Sequence, residues 1–190
     1  MIRDLVEKNR SYRRFIQDEI IGLDTLRELV DIARITPSAA NSQPIKYILS
    51  NDPALNEKIF SALLWAAYIK DWGGPQPGER PSAYIVMLLD KNIRPNVICD
   101  QGIAAQTILL GAVEKGLGGC MIASVRKEEL SKTLNIPERY EILLVLALGK
   151  PKETVVLEAM PESGDIRYWR DEQSIHHVPK RSLDEIILDF

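Results

Sequence analysis

The stretch Ala83-Tyr84-Ile85-Val86-Met87-Leu88-Leu89 is an unbroken apolar run closed by Asp90. A strand with one face in water alternates apolar and polar residues, whereas a strand buried on both faces reads as continuous apolar sequence. Residues 141–148, closed by Gly149-Lys150-Pro151, repeat the pattern. Residues 118–123 read as a shorter strand. Residues 45–50 read as another, with Tyr47, Ile48 and Leu49 as β-formers. These strands are the interior around which the rest of the chain must fold.

Helical spacing fills the gaps between them. A short pattern of Ile2, Leu5 and Val6 opens the chain. Thr25 and Glu28 have capping-box spacing ahead of a stripe of Leu26, Leu29, Val30 and Ala33, and Pro37 ends that helix. Asp52-Pro53 is a helix start, with proline at the first helical position. The spacing carries this helix to Lys70 and puts Trp65, Tyr68 and Trp72 on one face. These aromatics are read either as a cover over a substrate pocket or as core packing. Residues 72–81 are too rich in Gly and Pro for regular structure and read as an ordered loop or lid. Residues 96–115 are apolar round most of a helix, which places them at a domain centre or between two subunits, with Gly116 as C-cap. Residues 127–134 form a small helix stopped before Pro137.

The C-terminal part behaves differently. Residues 151–182 have weak periodicity and many charges, yet contain Tyr168, Trp169 and Ile175. A free tail lacks such residues, and a structureless loop of this length is unusual inside a compact domain. An arm packing on another subunit fits both facts. The division is then a core over residues 1–150 and an extension over residues 151–190.

Several functions are excluded. A net charge of −3 argues against bulk nucleic-acid binding. No apolar run approaches the ~20 residues that span a bilayer, and the early acid in Met1-Ile2-Arg3-Asp4-Leu5 does not suit a signal peptide. Two cysteines, Cys99 and Cys120, suit a reducing cytoplasm and are expected in the core. There is no P-loop sequence and no nucleophile elbow. Gly116-Leu117-Gly118-Gly119 follows a helix and precedes a strand, the reverse of a dinucleotide fingerprint. His176 and His177 are the only histidines. Being adjacent and without a Cys or acidic cluster, they suggest no metal site.

Asn9-Arg10-Ser11-Tyr12-Arg13-Arg14-Phe15 concentrates guanidinium groups beside a hydroxyl, and Lys180-Arg181 adds a second basic pair at the far end. Arginine holds phosphate through a planar fork of donors. Arginine-rich turns also occur as plain solvated surface, so the stretch reads either way on its own. The chain shows no acid, base or nucleophile set, so no catalytic side chain is assigned. That is the profile of a protein whose cofactor carries the chemistry.

These motifs together resemble the nitroreductase family of FMN-dependent oxidoreductases. Arg10-Ser11-Tyr12-Arg13-Arg14-Phe15 resembles the family's opening Arg-Ser-x-Arg-x-Phe. Thr36-Pro37-Ser38-Ala39-Ala40-Asn41-Ser42-Gln43-Pro44 is similar to its Pro-Ser-x-x-Asn-x-Gln-Pro loop. Gly116-Leu117-Gly118-Gly119-Cys120-Met121-Ile122 is similar to its Gly-Leu-Gly-x-Cys-x-Ile segment, and Pro179-Lys180-Arg181-Ser182-Leu183-Asp184-Glu185-Ile186-Ile187 to its basic C-terminal signature. Asn9 stands where many members have a further arginine, and Ile45 where Trp is frequent.

The resemblance implies an α+β fold, a central mainly antiparallel sheet flanked by helices, and a homodimer with exchanged C-terminal arms. It implies FMN at the interface, with NADH or NADPH as electron donor and a small-molecule acceptor. By position, Arg10, Ser11, Tyr12 and Arg13 would meet the FMN phosphate and ring edge, joined at the phosphate by Lys180 and Arg181. Pro37, Ser38, Ala39 and Asn41 would come from the partner subunit. Met121, Ile122 and Ala123 would lie beside the ring, where flavin N5 carries the chemistry. The implied activity is reduction of nitroaromatics, quinones or similar acceptors. Alternatives are a flavin-binding storage or sensing protein, a reductive dehalogenase, or a flavin-degrading enzyme.

Overall fold

The computed structural model describes residues 1–69 and 72–189. Among these, five strands make the central sheet: β1 (Phe15–Ile16), β2 (Ile45–Ser50), β3 (Ala83–Asp90), β4 (Gly118–Ile122) and β5 (Tyr140–Pro151). All pairings in this sheet are antiparallel. The long strand β5 is its axis. One edge of β5 takes β3, from Ala83 opposite Leu148 to Asp90 opposite Tyr140, with an irregularity between Met87 and Leu88. The other edge is shared by β4, opposite residues 145–149, and β1, opposite Lys150 and Pro151. β2 closes the far side of β3.

Among the described residues there are also six α-helices: α1 (Ile2–Lys8), α2 (Leu23–Arg34), α3 (Pro53–Ser61), α4 (Asp100–Glu114), α5 (Lys127–Thr133) and α6 (Leu183–Ile186). The two faces of β3 explain its uniform composition. Ala83, Ile85 and Met87 join Leu144, Leu146 and Leu148 of β5 against α2 and α4. Tyr84, Val86 and Leu88 join Val145, Ala147, Cys120 and Ile122 against α3 and α5. Every residue of β3 is buried, so the expected antiparallel sheet with helices on both faces is the observed fold.

The departures are local. α2 starts from Gly22 with no side-chain cap, so Thr25 falls inside the first turn and its capping box with Glu28 does not form. α3 starts as expected, the Asp52 carboxylate accepting from the Leu55 amide at 2.8 Å, but ends at Ser61. The predicted end, Lys70, lies outside the described residues. The chain leaves the helix because it pairs with the segment after β4. Leu63 bridges Val125, the Leu64 amide donates to Ser124 O at 2.9 Å, and the Arg126 amide to Ala62 O at 2.9 Å. Trp65, Tyr68 and Trp72 therefore do not share a helix face.

α4 starts four residues later than its apolar pattern, where the Asp100 carboxylate accepts from the Ser38 hydroxyl at 2.6 Å and the Ala39 amide at 3.3 Å. Its last turn runs through Lys115 into Gly116, whose φ of 70° needs glycine. The helix is not covered all round, since Ile103 is exposed. Cys120 is in the core, but Cys99 is exposed at the N-cap of α4.

Residues 151–182 hold more regular structure than their composition suggests. β6 (Val155–Ala159) pairs in parallel with β8 (His176–Lys180), and β7 (Trp169–Arg170) lies antiparallel on its other side. The loop over residues 72–81 is ordered by its contacts with the N-terminal segment. Glu79 O accepts from the Phe15 amide at 2.9 Å. The Arg14 fork grips the Glu79 carboxylate with two bonds of 2.6 Å, and Lys152 Nζ approaches it at 3.0 Å.

The Arg14 hydrogen bonds, chiefly, hold the Glu79 carboxyl down at about 2. A folded value below the unfolded one contributes stability that is present above the ordinary carboxylate range and lost as pH falls toward 2. Glu79→Gln is expected to cost about 1.5–3 kcal/mol at pH 7. The gap between variant and parent should narrow as pH is lowered from 4.5 toward 2 in urea titrations. A gap independent of pH would show that the pair contributes nothing.

Candidate functional site

The basic N-terminal segment is laid on the sheet by two glycines. Ser11 bridges Gly119 in parallel, and the Tyr12 amide donates to Gly119 O at 3.0 Å. A Cβ on Gly118 would stand 2.5 Å from the Tyr12 ring, and one on Gly119 2.6 Å from Ala147 O. Glycine at 118 leaves room for the crossing Tyr12 ring, and glycine at 119 for the neighbouring β5 backbone.

A buried carboxylate then holds the backbone of the arginines. Glu153 Oε1 accepts from the amides of Arg13 and Arg14, the latter at 3.2 Å, and Oε2 accepts from Arg170 Nη2 at 2.9 Å. Its side chain is fully buried. The Lys152 amide adds a bond of 3.0 Å to Arg14 O. The arm and the N-terminal segment of the same chain are thus joined at this point.

Arg10, Ser11, Arg13 and Lys180 line one cavity of about 250 Å³ with Asn9, Tyr168, Val155 and Val178. No acidic side chain is among them. Arg10 donates through Nη2 to Val6 O at 2.6 Å, while its buried Nε has no partner. Arg13 is held from behind. Its guanidinium lies 4.7 Å from the centre of the Tyr168 ring, and its Nη1 is 3.3 Å from His176 Nε2. Tyr168 also packs against Tyr68 and His176, at 5.1 and 5.2 Å between ring centres.

The two histidines have opposite environments. His176 is 1% exposed. Its burial, and then Arg13, Arg170 and His177, bring it down to about 4. It is therefore neutral at physiological pH, and Nε2 accepts from Arg13. His177 stacks on Trp169 at 4.1 Å and lies between Asp171 and Glu158, whose hydrogen bonds raise its pKa. Burial pushes the Cys120 thiol up, which suits a core residue better than a nucleophile.

The other residues singled out from sequence fall in several places. Tyr12 lies beside the cavity, its hydroxyl donating to Lys8 O at 2.9 Å. Arg181 is not among the lining residues and pairs with Glu185. Met121 is exposed on β4, Ile122 is turned into the core, and Ala123 is exposed. Ile122 can therefore offer a ligand backbone groups, but not its side chain. Pro37 and Ser38 line a different cavity with Asp100, and Ala39 and Asn41 are exposed nearby. Trp65 is buried and meets Trp72 edge-on at 6.4 Å, Arg170 lies over Trp72 at 4.5 Å, and only Tyr68 reaches toward Arg13, through Tyr168. Glu153, His176 and Tyr168 escaped assignment because their partners lie up to 163 residues away.

Three cationic groups and a hydroxyl around one cavity fit the phosphate end of FMN. Among the described residues, no cluster of His, Cys, Asp and Glu could hold a metal ion, and no helix is long and apolar enough to cross a membrane.

A model of the nitroreductase family matches residues 6–150. MhqN of Bacillus subtilis (strain 168), provisionally named an NAD(P)H nitroreductase, is 22% identical over 180 residues, covering 78% of this chain and 87% of its own. An iodotyrosine deiodinase of Thermotoga neapolitana is 24% identical over 169 residues, covering 80% and 90%. The solved structure of an FMN-dependent nitroreductase from Clostridium difficile R20291 superposes with a TM-score of 0.66 at 23% identity, over 86% of this chain and 93% of that one. The motifs, the sheet and the match over most of its length agree: the chain belongs to the nitroreductase family.

Proposed function

We propose that the chain is an FMN-dependent oxidoreductase. The observation that carries this reading is the convergence of Arg10, Arg13 and Lys180 on one cavity without acidic lining. Bound FMN would supply the redox chemistry, taking hydride at N5 from NADH or NADPH and passing electrons to a nitroaromatic, quinone or similar acceptor in ping-pong turnover. The chain's own part is binding and orientation. Arg10, Arg13 and Lys180 would neutralise the phosphate, Ser11 would donate to it, and Tyr12 would stand at its side. Arg181 is kept as a contact only if it releases Glu185. Met121 and the backbone of Ile122 and Ala123 would border the ring.

The active unit in this reading is a homodimer in the cytoplasm. Pro37, Ser38, Ala39 and Asn41 would serve the neighbour's cofactor, since they line or flank a cavity that Arg10 and Arg13 do not line. The exposed Ile103 of α4 and the apolar Leu183, Ile186 and Leu188 would be covered by the second subunit. The core over residues 1–150 and the extension over residues 151–190 would act as one unit, with arm exchange limited to what lies beyond Lys180, since Tyr168, Arg170, His176 and Lys180 meet the chain's own Arg13, Glu153 and cation cavity. A second reading, reductive dehalogenation, is favoured by the deiodinase relative.

Three outcomes test this. The purified protein should be yellow and release FMN, and Arg10→Ala and Arg13→Ala should each weaken FMN about 10–100-fold in fluorescence titration, at little cost in melting temperature. Unchanged affinity in both would return these side chains to plain surface. In sedimentation the protein should run at twice its 21.5 kDa chain mass, and an FMN-loaded monomer would overturn the shared site.

The third concerns His176. Its folded value of about 4 lies below the ordinary 6.5. Between these values the unfolded chain binds a proton that the folded chain refuses, so stability falls as pH drops through this window and levels below it. His177 has the opposite sign and acts above 6.5, since its pKa is raised. His176→Phe should flatten the stability profile between pH 6.5 and 4, and weaken FMN about 3–10-fold by freeing Arg13. A profile identical to the parent's would show that the histidine is not buried in neutral form.

A further inference from the structure

The loop over residues 72–81 supplies no side chain to the cation cavity, yet both its ends are fastened to the groups around Glu153. At one end Glu79 takes the Arg14 fork and Lys152. At the other the Arg170 guanidinium lies 4.5 Å from the centre of the Trp72 ring. Arg170 in turn donates to Glu153, whose other oxygen accepts from the amides of Arg13 and Arg14. Neither Trp72 nor Arg170 lines the cavity itself.

The link through Arg170 has little slack. The Glu153 side chain is fully buried and that of Arg170 is 14% exposed. Among the described residues, Arg170 is the one basic side chain that pairs with this carboxylate. A buried ion pair that loses one partner leaves the other charge uncompensated, so the survivor must move or draw in water. Movement of Glu153 would carry the Arg13 and Arg14 amides with it, and Arg13 is a wall of the cavity.

Trp72 limits where Arg170 can stand. A cation over an aromatic face is held by the ring's quadrupole, and indole is the strongest such face. The backbone of Arg170 is set by β7, where it lies opposite His176. Trp72 is itself seated, meeting Trp65 edge-on at 6.4 Å. Gly74 lets the loop pass close over Trp65: its φ is 118°, and a Cβ there would stand 2.7 Å from the Trp65 ring. Loop, arm and N-terminal segment thus close a circuit from Trp72 through Arg170, Glu153 and Arg14 back to Glu79.

We propose that Trp72 and Arg170 are positioning residues for the phosphate of FMN. The loop sets the affinity of the cation cavity through Arg170 and Glu153, without touching the ligand. The inference rests on the flavin reading, which supplies the phosphate.

The test compares FMN with riboflavin, which has the same ring and ribityl chain but no phosphate, in fluorescence titrations of the full-length protein freed of flavin. Trp72→Ala should weaken FMN about 3–10-fold and leave riboflavin unchanged. Trp72→Phe keeps a ring face for Arg170 and should stay within about twofold of the parent for both flavins. Arg170→Met should weaken FMN at least about tenfold, again without loss of riboflavin. If Arg170→Met does not fold, the two Trp72 variants still decide. Packing alone would lower the melting temperature and weaken both flavins by one factor, and that result would overturn the proposal. A parent that prefers FMN, with the preference undiminished in its variants, would sink this inference alone. A parent that binds FMN no tighter than riboflavin would sink the phosphate assignment, and this inference with it.

Discussion

The structure depends on a strand whose centre, Val145 to Leu148, has no free side. β5 is covered on both faces by the two helical layers, and both its edges are paired, to β3 along one and to β4 and β1 along the other. Backbone groups buried this deeply must be paired, and a slip of one residue would exchange the two faces. Its register is therefore fixed, and the functional segment inherits that register. Phe15 sits opposite Pro151, the Lys152 amide bonds Arg14 O, and Glu153 takes the amides of Arg13 and Arg14. Three successive residues at the exit of the central strand set the position of the cationic stretch.

This arrangement resolves an electrostatic difficulty. Arg13 and Arg170 both act on His176, and Arg10 lines the same cavity as Arg13, in a chain whose net charge is negative. Like charges brought together in a partly buried region repel, and a buried charge without a partner is costly. Glu153 offsets Arg170 and fills the donors of two backbone amides. His176, held neutral, accepts from Arg13 without adding a further positive charge. The cavity face of the cluster is left with its donors available, which is what an anionic ligand needs.

The sheet was legible because doubly buried strands leave an unmistakable apolar run. β2 and the start of α3 at Asp52 were found to the residue. The errors came where tertiary pairing overrides local pattern. Trp65, Tyr68 and Trp72 have helical spacing, yet Leu63 prefers an extended bridge with Val125. The Thr25 box is absent because Gly22 starts the helix early. At the site, Arg10, Ser11, Arg13 and Lys180 were visible as local clusters. Glu153 and His176 were not, because neither local charge nor periodicity says which distant backbone a carboxylate will hold. The small arm sheet was missed for a related reason. β7 is two residues long, and β8 carries Pro179, so neither presents a strand pattern.

The division of labour between the two histidines shows how the arm is tuned. They are neighbours on β8, so the strand turns them to opposite faces. His176 goes inward against Arg13 and Tyr168, where desolvation dominates and the proton is refused. His177 goes outward onto Trp169, between Asp171 and Glu158, where the carboxylates dominate and the proton is kept. One face of the strand serves the cation cavity, and the other fastens the arm to itself. Acid would therefore act on the inner contact by charging His176 against Arg13, while His177 keeps its proton. The arm's hold on the arginine is thus separable from the arm's own folding, and the separation follows from strand alternation alone.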